Sequence, residues 1–121
     1  NEDGIQAMLD TVSHMEGKKK LIFAVVSDKD YEVMIRSIVG SQAFDQVMVT
    51  TTGQDRKTDA DMIKNIFVKE AKDAGIDGLK VTTCKGAKEA LESMKEEGYK
   101  VIITGSLYLV ADIKRALQGS I

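Results

Sequence analysis

The residues best suited to binding a ligand are Gly105 and Ser106, near the carboxyl end of the chain. The apolar run 101–103 before them is typical of a buried strand, and residues 107–117 after them are typical of a helix. Where a strand passes into a helix through Gly-Ser, backbone N–H groups can face a carboxylate or a phosphate. The alternative is that Ser106 only caps its helix, which is the commonest role of a serine at a helix start.

Two further polar segments carry charged groups that could contact a ligand. Lys29 lies between Asp28 and Asp30 and could contact a phosphate or a carboxylate, or hold its loop against another domain. The alternative is that Asp30 caps a helix within a solvated turn. Arg56 could bind a carboxylate through two parallel hydrogen bonds, and its alternative is an ordinary surface position.

The sequence contains no set of residues typical of a metal site or of nucleophilic catalysis. His14 is the single histidine and has no ligand partners at metal-binding spacing. Cys84 is the single cysteine, so no internal disulfide can form, which favours the cytoplasm. The sequence has no Walker A motif and no complete Gly-x-Gly-x-x-Gly. We therefore predict no catalytic residue and no metal site in this chain, and no capacity to activate ATP alone.

Size and charge are typical of one globular domain, which we assign to residues 1–121. The chain is 43% hydrophobic and 30% charged, with a net charge of -2. The basic run 18–20 is predicted to be a solvated entry to a strand, and no nucleic-acid partner is expected. No membrane association is expected, because no apolar stretch has the length of a membrane span. The chain begins at Asn1, which we interpret as a cut within a longer protein, with processing as the alternative.

Helical and strand patterns alternate along the chain. A helix is predicted over 4–15, followed by strands at 21–26, 47–49, 79–81 and 101–103, each preceding a helix. Those helices are predicted over 31–39, 58–74, 86–97 and 107–117, with Gly40, Gly75 and Gly98 as stops and Met62, Ile66 and Ala71 buried. Parallel neighbours need crossover connections, so the alternation predicts an α/β fold. We expect a three-layer α/β/α, Rossmann-like domain with a mostly parallel sheet, whose strand order the pattern leaves open.

Ligands of open parallel sheets bind beyond the carboxyl ends of the strands. That rule selects four polar segments, at 27–30, 50–56, 82–86 and 104–106. It predicts the place of a site and does not identify the ligand.

Four segments in order resemble the C-terminal domain of folylpolyglutamate synthase and dihydrofolate synthase, in the Mur ligase superfamily. The most specific is 104–110, Thr-Gly-Ser-Leu-Tyr-Leu-Val, which is similar to the family's Gly-Ser-Leu-Tyr-Leu-Val ending. Segment 25–31 resembles the Asp-Lys-Asp turn, and 50–60 resembles a loop that usually carries an arginine, here Arg56. Segment 1–4 resembles the end of Asp-Gly-Ala-His-Asn-Pro-x-Gly, with Glu2 in place of the usual proline.

The resemblance implies an ATP-dependent ligase that forms an amide through an acyl phosphate. The carboxylate of a folate or of dihydropteroate is activated, and the amine of L-glutamate attacks it. ATP and Mg²⁺ are held mainly by the central domain of such enzymes, so the chain alone is expected to be inactive. The resemblance also implies that this chain works with the N-terminal ATPase domain of the same ligase. The resemblance assigns glutamate binding to Ser106, Gly105 and Arg56, and the active-site cleft to Asn1, Asp28, Lys29 and Asp30.

Two other functions remain open from the sequence. One is a non-catalytic Rossmann-like ligand-binding module, such as a receiver. A receiver needs a phospho-acceptor aspartate after its third strand, where this chain has Thr-Thr-Cys at 82–84. The other is the C-terminal domain of a Mur-type ligase that adds a different amino acid.

Overall fold

The computed structural model describes residues 2–24, 31–51, 59–95 and 98–104, and within them helices and strands alternate. The helices are α1 (Glu2–Ser13), α2 (Tyr31–Ser41), α3 (Ala60–Asp73) and α4 (Ala87–Met94). The strands are β1 (Lys18–Phe23), β2 (Gln46–Val49), β3 (Lys80–Thr83) and β4 (Tyr99–Thr104). The predicted helix over 107–117 lies outside the described residues. Among the helices of the described segments, none is long and apolar enough to cross a bilayer.

The four strands form one parallel sheet in the order β3-β2-β1-β4. The chain moves outward from β1 through β2 to β3, and then returns to the other side of β1. This reversal creates a topological switch point between the carboxyl ends of β1 and β4, where the register pairs Phe23 with Thr104. The predicted α/β class with a mostly parallel sheet is confirmed, and the structure adds the strand order.

Helices cover both faces of the sheet. On one face, α1, α2 and α3 pack over alternate residues of the two central strands, Leu21, Phe23, Val47 and Val49. On the other face, α4 packs over the intervening residues, Ile22, Ala24 and Met48. Neighbouring residues of a strand point to opposite faces, so burial of both faces explains the continuous apolar runs 21–23 in β1 and 47–49 in β2.

Phe67 is the centre of the buried face of α3. It is fully buried, and its ring meets the ring of Phe23 edge to face, with centroids 5.3 Å apart and planes at 84°. Ile63 and Ala71 lie one turn before and after it and are also buried, as predicted for Ala71. The prediction for Met62 is wrong, because it neighbours Ile63 and so lies about 100° around the helix from the buried stripe.

The basic run 18–20 is part of a strand, and its prediction as a solvated entry is wrong for the buried Lys20, whereas Lys18 is exposed. Lys18, Lys19 and Lys20 form the first half of β1 and pair with β4. Lys20 is only 4% exposed, and its Nζ lies 4.3 Å from the centre of the Tyr99 ring. The aliphatic stem of a lysine can be buried when its charge rests on an aromatic face. Val25 and Val26, the predicted end of this strand, lie outside the described residues.

Three predicted helix ends differ from the structure by two or three residues, and the fourth differs by one. Helix α1 ends at Ser13, before the predicted end at 15. Helix α2 runs through Gly40 to Ser41, and the left-handed residue is Gln42, whose φ is 52°. Helix α4 ends at Met94, before the predicted end at 97. Helix α3 ends at Asp73, one residue before its predicted end, and the predicted stop Gly75 follows it with a φ of 70°. The Ile76 N–H donates to the Ala71 carbonyl at 2.9 Å. This pair is the usual closure of a helix by glycine.

Candidate functional site

The carboxyl edge of the sheet is closed by hydrogen bonds just beyond the strand ends. The Ala24 N–H donates to the Thr104 carbonyl at 3.4 Å, and the Thr50 N–H donates to the Phe23 carbonyl at 3.0 Å. The Cys84 N–H donates to the Val49 carbonyl at 3.0 Å. The four strands therefore end next to one another at this edge, and the segments that follow them begin side by side.

None of the site residues predicted from the sequence lies in the described parts of the chain. They are Asn1, Asp28, Lys29, Asp30, Arg56, Gly105 and Ser106. The structure instead fixes the points from which their segments depart, at Ala24, Thr51 and Thr104. Ala24 and Thr104 are hydrogen-bonded neighbours at the switch point, so the segments that carry Asp28 and Ser106 leave the sheet next to each other.

A cleft of about 840 Å³ opens at the same edge, between the exits of β2 and β3 and the starts of α3 and α4. Its described lining residues are Thr51, Asp59, Ala60, Asp61, Thr83, Cys84, Lys85 and Glu89. The rule that selected segments 50–56 and 82–86 thus located part of this lining. The rule did not select the acidic lining residues Asp59, Asp61 and Glu89. Their position in or just before the first turn of a helix could have indicated them, because carboxylates are favoured there.

Asp59 fixes the start of α3. Its carboxylate accepts a hydrogen bond from the Asp61 N–H at 2.9 Å, and its carbonyl accepts from the Ile63 N–H at 3.1 Å. An aspartate that caps in this way satisfies an N–H group that the first helical turn leaves without a partner. The sequence placed Asp59 in the predicted opening of this helix, and the structure identifies it as the cap.

Three hydrogen bonds shape the turn between β3 and α4. The Glu89 carboxylate accepts from the Lys85 N–H at 3.4 Å, and the Cys84 thiol donates to the Gly86 carbonyl at 3.4 Å. The Gly86 carbonyl also accepts from the Ala90 N–H at 2.9 Å, which begins α4. The turn therefore has a defined shape, and it presents residues 83–85 to the cleft.

The chemistry of the cleft is suited to binding. Hydroxyl, carboxylate and ammonium groups surround one opening, so it can hydrogen-bond a small molecule that carries both signs of charge. No histidine that could activate a nucleophile stands among its described lining residues. Likewise, over the described ranges, no three His, Cys, Asp or Glu side chains are grouped so that they could hold a metal ion.

The structure is similar along its whole length to parts of known ligases. A folylpolyglutamate synthase from Thermotoga maritima matches 100% of this chain with a TM-score of 0.80 and 23% identity. The folylpolyglutamate synthase of Mycobacterium tuberculosis, solved with ADP and AMPPCP, matches 98% with a TM-score of 0.70 and 22% identity. UDP-N-acetylmuramate–alanine ligase from Thermotoga maritima matches 99% with a TM-score of 0.62 and 18% identity.

The match covers only a part of each of these proteins. The chain spans 26% and 28% of the two synthases and 24% of the third ligase. Neither a protein-family model nor a curated protein matches the sequence. The chain shares its fold with a part of each of these three ligases, and the resemblance predicted from the sequence is confirmed for the fold.

Proposed function

We propose that residues 1–121 form one domain, the C-terminal domain of an ATP-dependent ligase that adds L-glutamate to folate. The observation that carries this proposal is the position at which the Gly105-Ser106 segment leaves the sheet. It follows Thr104, whose carbonyl accepts a hydrogen bond from Ala24 at the switch point. Small ligands of such sheets bind at switch points. The likeness of the whole chain to two folylpolyglutamate synthases supports the same assignment.

In the proposed reaction, the γ-carboxylate of a folate accepts the terminal phosphoryl group of ATP and becomes an acyl phosphate, releasing ADP. The amine of L-glutamate then attacks the acyl carbon, phosphate leaves, and the amine loses a proton as the amide forms. The role of this chain is to hold glutamate in place, which is a proximity effect. Ser106 donates to one glutamate carboxylate, Gly105 allows close approach to the backbone, and Arg56 binds a carboxylate through two hydrogen bonds.

The proposal places ATP and Mg²⁺ mainly on the central ATPase domain of the same enzyme. One of the similar structures was solved with ADP and AMPPCP, which supports ATP as the phosphoryl donor. Over the described ranges, no three His, Cys, Asp or Glu side chains of this chain are grouped so that they could hold the Mg²⁺. Asn1, Asp28, Lys29 and Asp30 are proposed to lie in the active-site cleft that this chain forms with that domain. Folate or dihydropteroate is the acceptor, and the cytoplasm is the proposed compartment.

A second candidate is a ligase of the same fold that adds a different amino acid. The likeness to UDP-N-acetylmuramate–alanine ligase favours it, because that protein also matches nearly the whole chain. The segment Gly-Ser-Leu-Tyr-Leu-Val at 105–110 favours the folate ligase over this alternative. The identity of the amino acid added to the product distinguishes the two.

Replacement of Ser106 by alanine tests the glutamate assignment. In the ligase that contains this chain, we expect Ser106→Ala to raise the glutamate KM or to lower kcat by more than tenfold. A hydrogen bond to a charged group contributes about 1.5–3 kcal/mol, and each 1.4 kcal/mol is about a tenfold effect. The measurement is initial rate of ADP release against glutamate concentration at saturating ATP and folate.

Two controls accompany this measurement. Ser106→Thr retains a hydroxyl and should keep more of the activity than Ser106→Ala. The KM for ATP should stay within about twofold of wild type in both variants, since glutamate contacts are not contacts to ATP. An unchanged rate at limiting glutamate would mean that Ser106 only caps its helix.

A further inference from the structure

Strand β3 is the last strand on one side of the sheet, and its outer edge has no neighbouring strand among the described residues. The Lys80 N–H donates to the Asp45 carbonyl at 3.3 Å, and the Cys84 N–H donates to the Val49 carbonyl at 3.0 Å. Backbone groups alternate in direction along a strand, so residues 80, 82 and 84 face β2. Residues 79, 81 and 83 therefore turn their N–H and C=O groups away from the sheet, where they can pair with another strand.

An apolar groove of about 290 Å³ runs beside this outer edge, between β3 and α3. Leu79 and Val81 line it on the strand side, and Val68 and Ala71 line it on the helix side. Val68 is 48% exposed and is one of two large apolar side chains that are exposed in the described ranges. The edge thus combines unpaired backbone groups with apolar surface, and an added strand covers both.

We propose that a second copy of this chain covers the edge, with the two β3 strands antiparallel about a two-fold axis. A two-fold axis makes one surface its own partner, so its contacts must be self-complementary. An alignment that places Val81 opposite Val81 of the second copy meets this condition. Residues 79 and 83 then stand opposite each other on both sides of the axis, and every outward-facing N–H and C=O group of 79, 81 and 83 is paired.

Charge favours this register over the neighbouring ones. With Val81 on the axis, Asp77 comes opposite Lys85 of the second copy, and the same pair recurs on the other side of the axis. A shift that places Lys80 on the axis brings the two Lys80 side chains opposite each other, which is unfavourable. A shift that places Thr82 on the axis leaves Asp77 without an opposite charge.

The same arrangement explains the exposure of Val68. Helix α3 packs over β2 and β3 through Phe67 and Ala71, so the axis brings the α3 helices of the two copies side by side above the joined strands. Val68 then lies at the seam between the copies. Because four short strands' worth of edge and one helix pair make a small interface, we expect weak association, with monomers at low micromolar and dimers at high micromolar concentration.

Analytical ultracentrifugation of the chain across this concentration range tests the interface. The weight-average mass should rise from that of one chain toward that of two. Val68→Glu places a charge in the apolar seam and should weaken dimerisation at least about tenfold. Met62→Glu is the matched control, because Met62 is 40% exposed on the same helix and is not among the described residues that line the groove. It should leave the dissociation constant within about twofold of wild type.

Charge reversal and cross-linking test the register. Asp77→Lys should weaken dimerisation about three- to tenfold, and the added change Lys85→Asp should restore it. In a Cys84→Ser background with a glutathione redox buffer, Val81→Cys should form a disulfide between copies, since its Cα atoms would lie about 5.5 Å apart. Thr83→Cys should not, because its two copies would lie four residues apart along the strands, about 13 Å.

A chain that stays monomeric at high micromolar concentration overturns the proposal. A dimer that Val68→Glu leaves unchanged also overturns it, because the copies would then associate through another surface. Cross-linking of Thr83→Cys in preference to Val81→Cys contradicts the register and its charge pairs. Slower hydrogen exchange of residues 79–83 in a monomeric ligase than in the chain alone would identify another domain of the ligase as the occupant, against the proposal. None of these results bears on the proposed ligase function, which is tested by the glutamate dependence of ADP release.

Discussion

The chain alone should release ADP from ATP at least about a thousandfold more slowly than the ligase that contains it, with folate and L-glutamate present. Phosphoryl transfer needs groups that cradle the phosphates and stabilise their developing charge. The sequence has no Gly-x-x-x-x-Gly-Lys-Ser/Thr motif to supply them. No three metal-ligating side chains are grouped in the described segments either. In the proposed reaction, this chain orients the attacking amine, and the acyl phosphate is expected to form on groups supplied by the rest of the ligase.

The dependence of ADP release on folate and glutamate distinguishes ligase turnover from the activity of contaminating ATPases. Background ADP release should not change when folate or glutamate is left out, and it should be the same in Ser106→Ala. ADP release by the chain alone that requires both co-substrates would contradict the division of labour between the two domains. It would place the phosphate-binding groups within residues 1–121.

Phe67→Ala should lower the free energy of unfolding by about 3–5 kcal/mol, a large share of the total for a domain of this size. Phe67 is fully buried between α3 and the sheet, and its ring packs edge to face on Phe23 of β1. Truncation removes apolar contacts on both sides and leaves a cavity beneath α3. Thermal unfolding should shift down by roughly 10–20 °C, as this loss predicts for a chain of this length.

Val68→Ala is the matched control on the same helix. Val68 neighbours Phe67 in sequence but is 48% exposed. Its truncation should change the free energy of unfolding by less than about 0.5 kcal/mol, which is usual at the surface. If Phe67→Ala unfolded within about 2 °C of wild type, the packing of α3 on β1 would not be the main support of this face of the sheet.

Helices and strands that are marked by a pattern of neighbouring residues could be predicted from the sequence. The apolar run of β2 and the glycine that ends α3 required no knowledge of the rest of the chain. The burial of Lys20 could not be predicted in this way, because it depends on Tyr99, which pairing with β4 brings beside β1. The third strand, predicted at 79–81, extends instead to Thr83 because it follows the register of β2.

The sequence predicted at which edge of the sheet the candidate site lies. It did not predict which residues contact each other there. The alternation of strands and helices was sufficient to place polar segments at the carboxyl ends. The switch point required the strand order, which comes from long-range pairing between β1 and β4. The acceptors of the buried Thr50 hydroxyl, which are the Cys84 carbonyl at 3.3 Å and the Thr51 carbonyl at 3.5 Å, were also not predictable. A threonine after a strand gives no sign of which carbonyl its hydroxyl will reach. Ser106 and Arg56 remain predictions from the sequence, since both lie outside the described residues.

The central claim is that this chain serves a ligase that adds L-glutamate to folate. Mass spectrometry of the folate tests it most directly, after incubation of the complete ligase with ATP, Mg²⁺ and an equimolar mixture of amino acids. The account predicts that the folate gains the mass of one glutamyl residue per turnover, with one ADP released, and that the gain disappears without glutamate. Folate of unchanged mass, or a product that carries another amino acid, would contradict it.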